Sequence, residues 1–184
     1  MTTTLLFLAL LAAVNPLRVQ AVGPKEMKPG VRCYAGVVVL AVGTASACLS
    51  GPLLGLVDVS VSSARIAAGV ALVVVATWDA VGPVPRPEPS LTGSFAGIVP
   101  VAFPAVLNPA TVFLIIAAGA DRGAIRAVAV MTVVVVIAMT ALCVPRLSPV
   151  RPFLAASGAG GAATGVLVVM DGVRAMSTLR RAPP

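Results

Sequence analysis

Histidine is absent from this 184-residue sequence, and charged side chains make up only 10% of it. The absence of histidine excludes a metal site with imidazole ligands and a catalytic triad that uses histidine as its base. A water-soluble domain carries about 25% charged residues because its surface faces water. Most of this surface must therefore face something else. The three cysteines match no metal-ligand spacing, and we interpret Cys33, Cys48 and Cys143 as small packing residues without disulfides.

Hydrophobic residues, 59% of the chain, occur in long runs separated by short polar gaps. Each run reaches or approaches the ~20 residues that a helix needs to cross a ~30 Å hydrocarbon core. The runs do not alternate apolar and polar residues, as the strands of a membrane β-barrel do. We therefore predict an all-α membrane protein with six transmembrane helices, at about residues 3–22, 33–57, 62–81, 95–118, 124–144 and 152–176.

The whole chain, residues 1–184, is predicted to form a single transmembrane domain made of two repeats. The first repeat covers about residues 3–81 and the second about residues 95–176, with a proline-rich linker at about residues 82–94 and a short basic tail at residues 177–184. Three spans in each half require the second half to enter the membrane in the opposite orientation. This inverted-repeat plan is common among secondary transporters.

Matched residues at an almost constant offset indicate the duplication. The only two asparagines, Asn15 and Asn108, are both followed by proline and lie 93 residues apart. One deletion near the third helix brings further pairs into register. At offsets of 92 or 93 residues, these are Pro52 with Pro145, Gly69 with Gly161, and Asp79-Ala80-Val81 with Asp171-Gly172-Val173.

The two Asn-Pro pairs are the main candidates for a binding site. Proline inside a helix removes one backbone hydrogen bond, and in lipid the freed carbonyls need another partner. An adjacent asparagine offers both a donor and an acceptor. We therefore predict that helices one and four break at Asn15-Pro16 and Asn108-Pro109 and meet at a central solute site, to which Thr111 adds a hydroxyl. The alternative is a pair of proline kinks in which asparagine only holds helices together.

Three charged residues within the spans complete the candidate substrate-binding set. Asp79 and Asp171 occupy the far ends of the third and sixth helices. A carboxylate there either handles a proton or cation or is a solvated charge at the membrane boundary. Arg65 begins the third helix, where it is either an anchor that extends to the lipid headgroups or a partner for an anionic solute.

The net charge of +7 comes from basic residues scattered over the polar gaps. Such charges fix topology and contact anionic headgroups, so the expected partner is membrane lipid and not nucleic acid. The largest basic cluster surrounds the first polar gap and contains Arg18, Lys25, Lys28 and Arg32. The positive-inside rule then places this loop in the cytoplasm and the N-terminus outside the cell.

Several stretches resemble the MarC family of bacterial inner-membrane proteins, which is related to the LysE-type exporter superfamily. They are Asn15-Pro16, residues 64–69 (ARIAAG), residues 99–104 (VPVAFP) and residues 171–175 (DGVRA). The sequence departs from the family pattern at Leu17-Arg18, where a small residue is usual, and at Asn108-Pro109, where the family motif usually pairs glycine with proline. The resemblance implies six spans, a bacterial plasma membrane location and a transport role, and it names no substrate.

The sequence thus predicts a small secondary transporter, an exporter of a small polar or amphipathic solute, with a coupling ion as a further candidate partner. The alternative is a non-transporting membrane subunit or scaffold of a larger complex, and a homo-oligomer is compatible with both. We predict no enzyme activity, because no acid, base or nucleophile lies in a clear mid-membrane cluster. No catalytic residue, metal site or cofactor is predicted.

Overall fold

The computed structural model describes residues 1–23, 28–83, 98–144 and 150–181, and these residues form helices without a strand. Some parts of the prediction lie outside the described residues. They are the predicted linker after residue 83, the residues Lys25 and Pro145, and residues 182–184 of the tail. In chain order the helices are α1 (Thr3–Val14), α2 (Pro16–Val22), α3 (Pro29–Cys48), α4 (Ser50–Leu56), α5 (Val61–Val81), α6 (Ile98–Val106), α7 (Pro109–Arg122), α8 (Ala124–Ala141) and α9 (Val150–Arg181). Of these, α6 is wound as a π-helix.

Five helical segments are long and apolar enough to cross a membrane: Thr3–Val22, Pro29–Cys48, Val61–Val81, Ala124–Ala141 and Arg151–Thr178. Their outer faces are apolar as well. Val37, Val74 and Val136, for example, are 57%, 64% and 57% exposed. A water-soluble protein would not expose contiguous apolar faces of this length. The fold therefore fits the predicted class, a helical multi-pass membrane protein.

The second and last spans differ in length from the prediction. The second was expected to reach residue 57, but α3 ends at Cys48 and the short α4 follows. Pro52 has no N–H to donate to the carbonyl of Cys48, so a continuous helix would lack one hydrogen bond there. At the other extreme, α9 has 32 residues, about 48 Å at 1.5 Å per residue, and exceeds the thickness of the hydrocarbon core.

One helix ends and another begins at each of the two Asn-Pro pairs, as predicted. After α1, Asn15 adopts the left-handed conformation with φ 43°, and Pro16 begins α2. After α6, the chain is irregular until Pro109 begins α7. Proline disfavours the helical conformation in the residue before it, and asparagine tolerates the left-handed region better than most residues. With 9 and 14 residues, neither α6 nor α7 is long enough to cross a membrane alone.

The most extensive helix contact in the described chain joins α5 and α9, which are antiparallel. Three glycines of α9, spaced by seven residues, lie where an added Cβ would press on the backbone of α5. Gly172 faces Ser62 and Ile66, Gly165 faces Gly69 and Val73, and Gly158 faces Ala76 and Ala80. Residue numbers increase along α9 in the direction in which they decrease along α5, as antiparallel packing requires. A small residue every two turns lets two helix backbones approach closely.

The two interrupted spans form the centre of the bundle. Leu10 and Val14 of α1 and Leu114 and Ile115 of α7 are at most 1% exposed. Helix α1 contacts α5, α7, α8 and α9, and α7 contacts α3 and α5 as well. At the two Asn-Pro pairs, Asn15 and Asn108 are buried at 3% and 2% exposure, whereas Pro109 is exposed.

Candidate functional site

A backbone carbonyl beside the break between α1 and α2 accepts a hydrogen bond from the residue that precedes α7. The N–H of Asn15 still bonds to the carbonyl of Leu11, at 2.9 Å. The carbonyl of Ala13 accepts a hydrogen bond from Nδ2 of Asn108 at 2.6 Å. Ala13 and Asn108 are 0% and 2% exposed. The two breaks therefore lie against each other, as the sequence predicted.

Asn108 is the N-cap of α7, and its side-chain oxygen accepts hydrogen bonds from the first turn. Oδ1 accepts hydrogen bonds from the N–H of Thr111 at 3.0 Å and from its hydroxyl at 3.2 Å. This is a helix N-cap, and Pro109 takes the first helical position, where a missing N–H does no harm. Thr111 is fully buried. These three predicted site residues direct their polar atoms at the protein itself.

Asn15 faces a different set of partners. Its Nδ2 donates to Oδ2 of Asp79 at 3.0 Å, and its Oδ1 accepts from the hydroxyl of Ser157 at 3.4 Å. Asn15 thereby links the first span to both members of the α5–α9 pair. Pro16 begins α2, whose first turn carries Arg18 toward the same carboxylate.

Asp79 lies near the end of α5 with a side chain only 4% exposed, and its Oδ1 is 3.5 Å from Nη1 of Arg18. A carboxylate removed from water needs hydrogen-bond donors and a positive charge nearby. Asn15 supplies the first and Arg18 the second. The interpretation of Asp79 as a solvated boundary charge is therefore wrong.

A small cavity of about 40 Å³ adjoins Asp79. Arg18, Arg151, Trp78 and Leu154 are among its other lining residues. With two guanidinium groups and one carboxylate, the lining is polar and has an excess of positive charge. A volume of this size holds a few water molecules and is too small for a metabolite. Neither asparagine belongs to its lining.

A second charged cluster lies at the other end of α5. Arg65 pairs with Asp121 at the end of α7 and with Asp171 of α9, the latter at 3.1 Å. The amino group of Met1 lies 3.3 Å and 3.2 Å from the same two carboxylates. Because Arg65 is only 8% exposed, it is not an anchor that extends to the headgroups. An open groove of about 400 Å³ adjoins this cluster.

The predicted site residues therefore divide into three groups. Asn15, Pro16 and Asp79 form one, Asn108, Pro109 and Thr111 form the cap of α7, and Arg65 and Asp171 form the third. The two charged groups are well separated. Arg65 and Asp79 lie about 21 Å apart along α5 at 1.5 Å per residue. Arg65 and Asp171 mark one end of the α5–α9 pair, and the break at Asn15 lies beside Asp79 at the other end.

Arg18, Asp121 and Ser157 were not predicted as site residues. Arg18 follows Asn15 by three residues, a spacing that places side chains on one helix face, so this signal was present in the sequence. Ser157 lies 92 residues after Arg65, the same offset that separates Asp79 from Asp171. Asp121 carries no such signal, because Arg122 and Gly123 after it give the appearance of a loop charge.

Comparison with known proteins found no matching family model, no matching curated protein and no matching solved structure.

Proposed function

We propose that this protein is a small secondary transporter that exports a small solute across the bacterial plasma membrane. The observation that carries the proposal is the hydrogen bond from Asn108 to the carbonyl of Ala13 at 2.6 Å, which joins two helix breaks at the centre of an apolar bundle. Secondary transporters of several folds use discontinuous helices near the membrane midplane to bind solutes and ions.

In this proposal the chain crosses the membrane six times. Helices α6 and α7, end to end, form one crossing, and the five long apolar segments form the others. Alternating crossings would then place two sets of residues on opposite sides. The contacts within each set support this arrangement. One set is Arg65, Asp121 and Asp171, which form ion pairs. The other set is Arg18, Asp79 and Ser157. In this second set Arg18 pairs with Asp79, and Asn15 links Asp79 to Ser157.

The two halves are proposed to be inverted repeats. The offset of 92 residues that relates Asp79 to Asp171 also relates Arg65 to Ser157. Asp79 and Ser157 lie at one end of the α5–α9 pair, and Arg65 and Asp171 lie at the other. A rotation by 180° that exchanged α5 with α9 would superpose the first end on the second. The antiparallel packing of α5 and α9 supports an axis in the membrane plane, since an axis along the membrane normal would relate parallel helices.

Transport would come from rocking of the two halves about the joined breaks. At one end of α5, the ion pairs of Arg65 with Asp121 and Asp171 would close the path. At the other end, the enclosed carboxylate of Asp79 would take up a coupling proton or cation, or hold a charged group of the solute. Opening one end while the other closes would give alternating access. The resemblance to the MarC family supports the same role by kinship.

The alternative function is a non-transporting membrane subunit or scaffold. Two observations favour it: the cavity beside Asp79 has a volume of only about 40 Å³, and Asn108 finds its partners within the protein. A scaffold needs a filled centre and no path for a solute.

Asp79 offers the test that separates the two functions. A thermal-shift screen of the purified protein against metabolites would identify a stabilising solute, and exchange of that labelled solute would then be measured in liposomes. Asp79→Asn keeps the shape of the side chain and removes its charge, so a transporter should lose exchange by roughly tenfold or more while it stays folded.

Asp58→Asn is the matched control, because it makes the same change at an exposed residue between α4 and α5. It should leave exchange unchanged. A wild-type protein that binds none of the metabolites and exchanges none of them would support the scaffold function.

A further inference from the structure

A groove on the outer surface of the bundle lies between α3 and α8 and has a volume of about 400 Å³. Its walls are largely apolar and include Leu40, Val135 and Met139. Among the described residues that line it, Arg32 is the charged one. Both helices are long and apolar enough to cross a membrane. The groove therefore opens to the hydrocarbon of the bilayer, where a lipid chain can enter it.

The length of the groove along α3 matches the hydrocarbon thickness of one leaflet. Gly36 lies at its floor, where an added Cβ would be 3.6 Å from Cγ of Met139, so the missing side chain leaves a furrow between the helices. The lining extends along α3 from Pro29 to Leu40, about 16 Å at 1.5 Å per residue. Half of a ~30 Å hydrocarbon core is about 15 Å.

Positive charge is confined to one end of the groove. Arg32 lies in the first turn of α3, and its Nη1 donates a hydrogen bond to Sγ of Cys143, just beyond the end of α8. Lys28 immediately precedes α3 and is exposed. These two cations lie where the apolar parts of both helices end, at headgroup depth, and the rest of the lining lies at the depth of the acyl chains.

We propose that this groove binds one anionic phospholipid, with an acyl chain along Gly36 and the phosphate at Arg32. A guanidinium group pairs well with phosphate, and each basic residue near the membrane surface favours anionic lipid. A second copy of the chain is a poorer occupant. A symmetric contact centred on the groove would place two Arg32 side chains in one interface, where like charges repel.

The test uses the purified full chain in detergent, titrated with phosphatidylglycerol and separately with phosphatidylethanolamine and followed by native mass spectrometry. The wild type should bind one phosphatidylglycerol about fivefold more tightly than phosphatidylethanolamine. Arg32→Gln should abolish this preference, and Arg32→Lys should keep most of it. Arg126→Gln is the matched control. It removes an exposed arginine from the opposite end of α8 and should leave the preference intact.

Filling the groove gives an independent readout. Gly36→Leu should weaken binding of both lipids alike, because it removes room for the chain and leaves the charge in place. Gly36→Ala, whose Cβ makes only an ordinary contact, should bind as the wild type does. Equal binding of the two lipids by the wild type, or the same loss in Arg126→Gln as in Arg32→Gln, would overturn the proposal. So would a dimer that Gly36→Leu dissociates, since the occupant would then be a second copy.

Discussion

The side-chain amide of Asn108 donates to the carbonyl of Ala13 across 2.6 Å and so joins the start of α7 to the end of α1. Asn108 does this from an extended backbone with ψ 165°, whereas Asn15 has the left-handed conformation with φ 43°. The two asparagines occupy equivalent positions in the proposed repeat but differ in what they do. Asn108 caps α7 and joins the breaks, and Asn15 holds the carboxylate of Asp79.

Asn108→Ala should lower the free energy of unfolding by roughly 2–4 kcal/mol. Loss of the N-cap contributes about 1 kcal/mol, and each buried group left without a partner contributes about 1–3 kcal/mol. Unfolding in detergent micelles would measure it. Thr132→Val is the control, because the hydroxyl of Thr132 bonds only within its own helix, to the carbonyl of Val128. If both variants were equally stable, the bond between Asn108 and Ala13 would not hold the spans together.

The helix breaks were predictable from sequence because their cause is local. Proline lacks an N–H wherever it occurs, and its effect on the preceding residue needs no tertiary information. The partners of the two asparagines depend on which side chains the bundle brings near. Asp79 and Asp171 occupy equivalent positions in the proposed repeat, yet their side chains are 4% and 31% exposed. That difference arises from packing between spans, which no single span encodes.

The cysteines show a second limit of sequence reasoning. Cys33, Cys48 and Cys143 were expected to be packing residues, but all three are exposed. In a soluble protein an apolar environment means burial. In a membrane protein the lipid-facing side of a helix is as apolar as its packed side, so hydropathy does not distinguish the two. For the same reason, the sequence did not indicate the groove beside Arg32.

The glycines of α9 should respond oppositely to the same substitution. Gly165→Ala should destabilise the protein by about 1–3 kcal/mol, because the new Cβ would lie 2.7 Å from Cγ2 of Val73 and 2.9 Å from the carbonyl of Gly69. Gly160→Ala meets nothing within 4 Å and should be neutral or slightly stabilising, since alanine favours helix. Thermal unfolding of both variants would measure this. Equal shifts would mean that α5 and α9 are not packed as described.

Arg65→Gln should destabilise the protein by roughly 2–3 kcal/mol. The change leaves the carboxylates of Asp121 and Asp171 without the guanidinium between them, and a partly exposed cluster loses less than the 3–5 kcal/mol of a fully buried pair. Adding Asp121→Asn should restore part of the loss, which a double-mutant cycle would detect. Arg122→Gln is the control. Its side chain is 35% exposed and lies 3.4 Å from the same Asp121, so a change of at most about 0.5 kcal/mol is expected.

The orientation of the chain gives the last prediction. The basic cluster from Arg18 to Arg32 should lie in the cytoplasm, which places the start of α8 outside the cell. With the native cysteines replaced, Ile125→Cys should react in intact cells with a reagent that does not cross the membrane, because Ile125 is 87% exposed beside the Asp121 end of the bundle. Lys28→Cys, exposed at the start of α3, should react only after lysis. The proposed topology of six alternating spans places the two positions on opposite sides. The reverse pattern would invert the orientation, and labelling of both in intact cells would contradict the six-span topology itself.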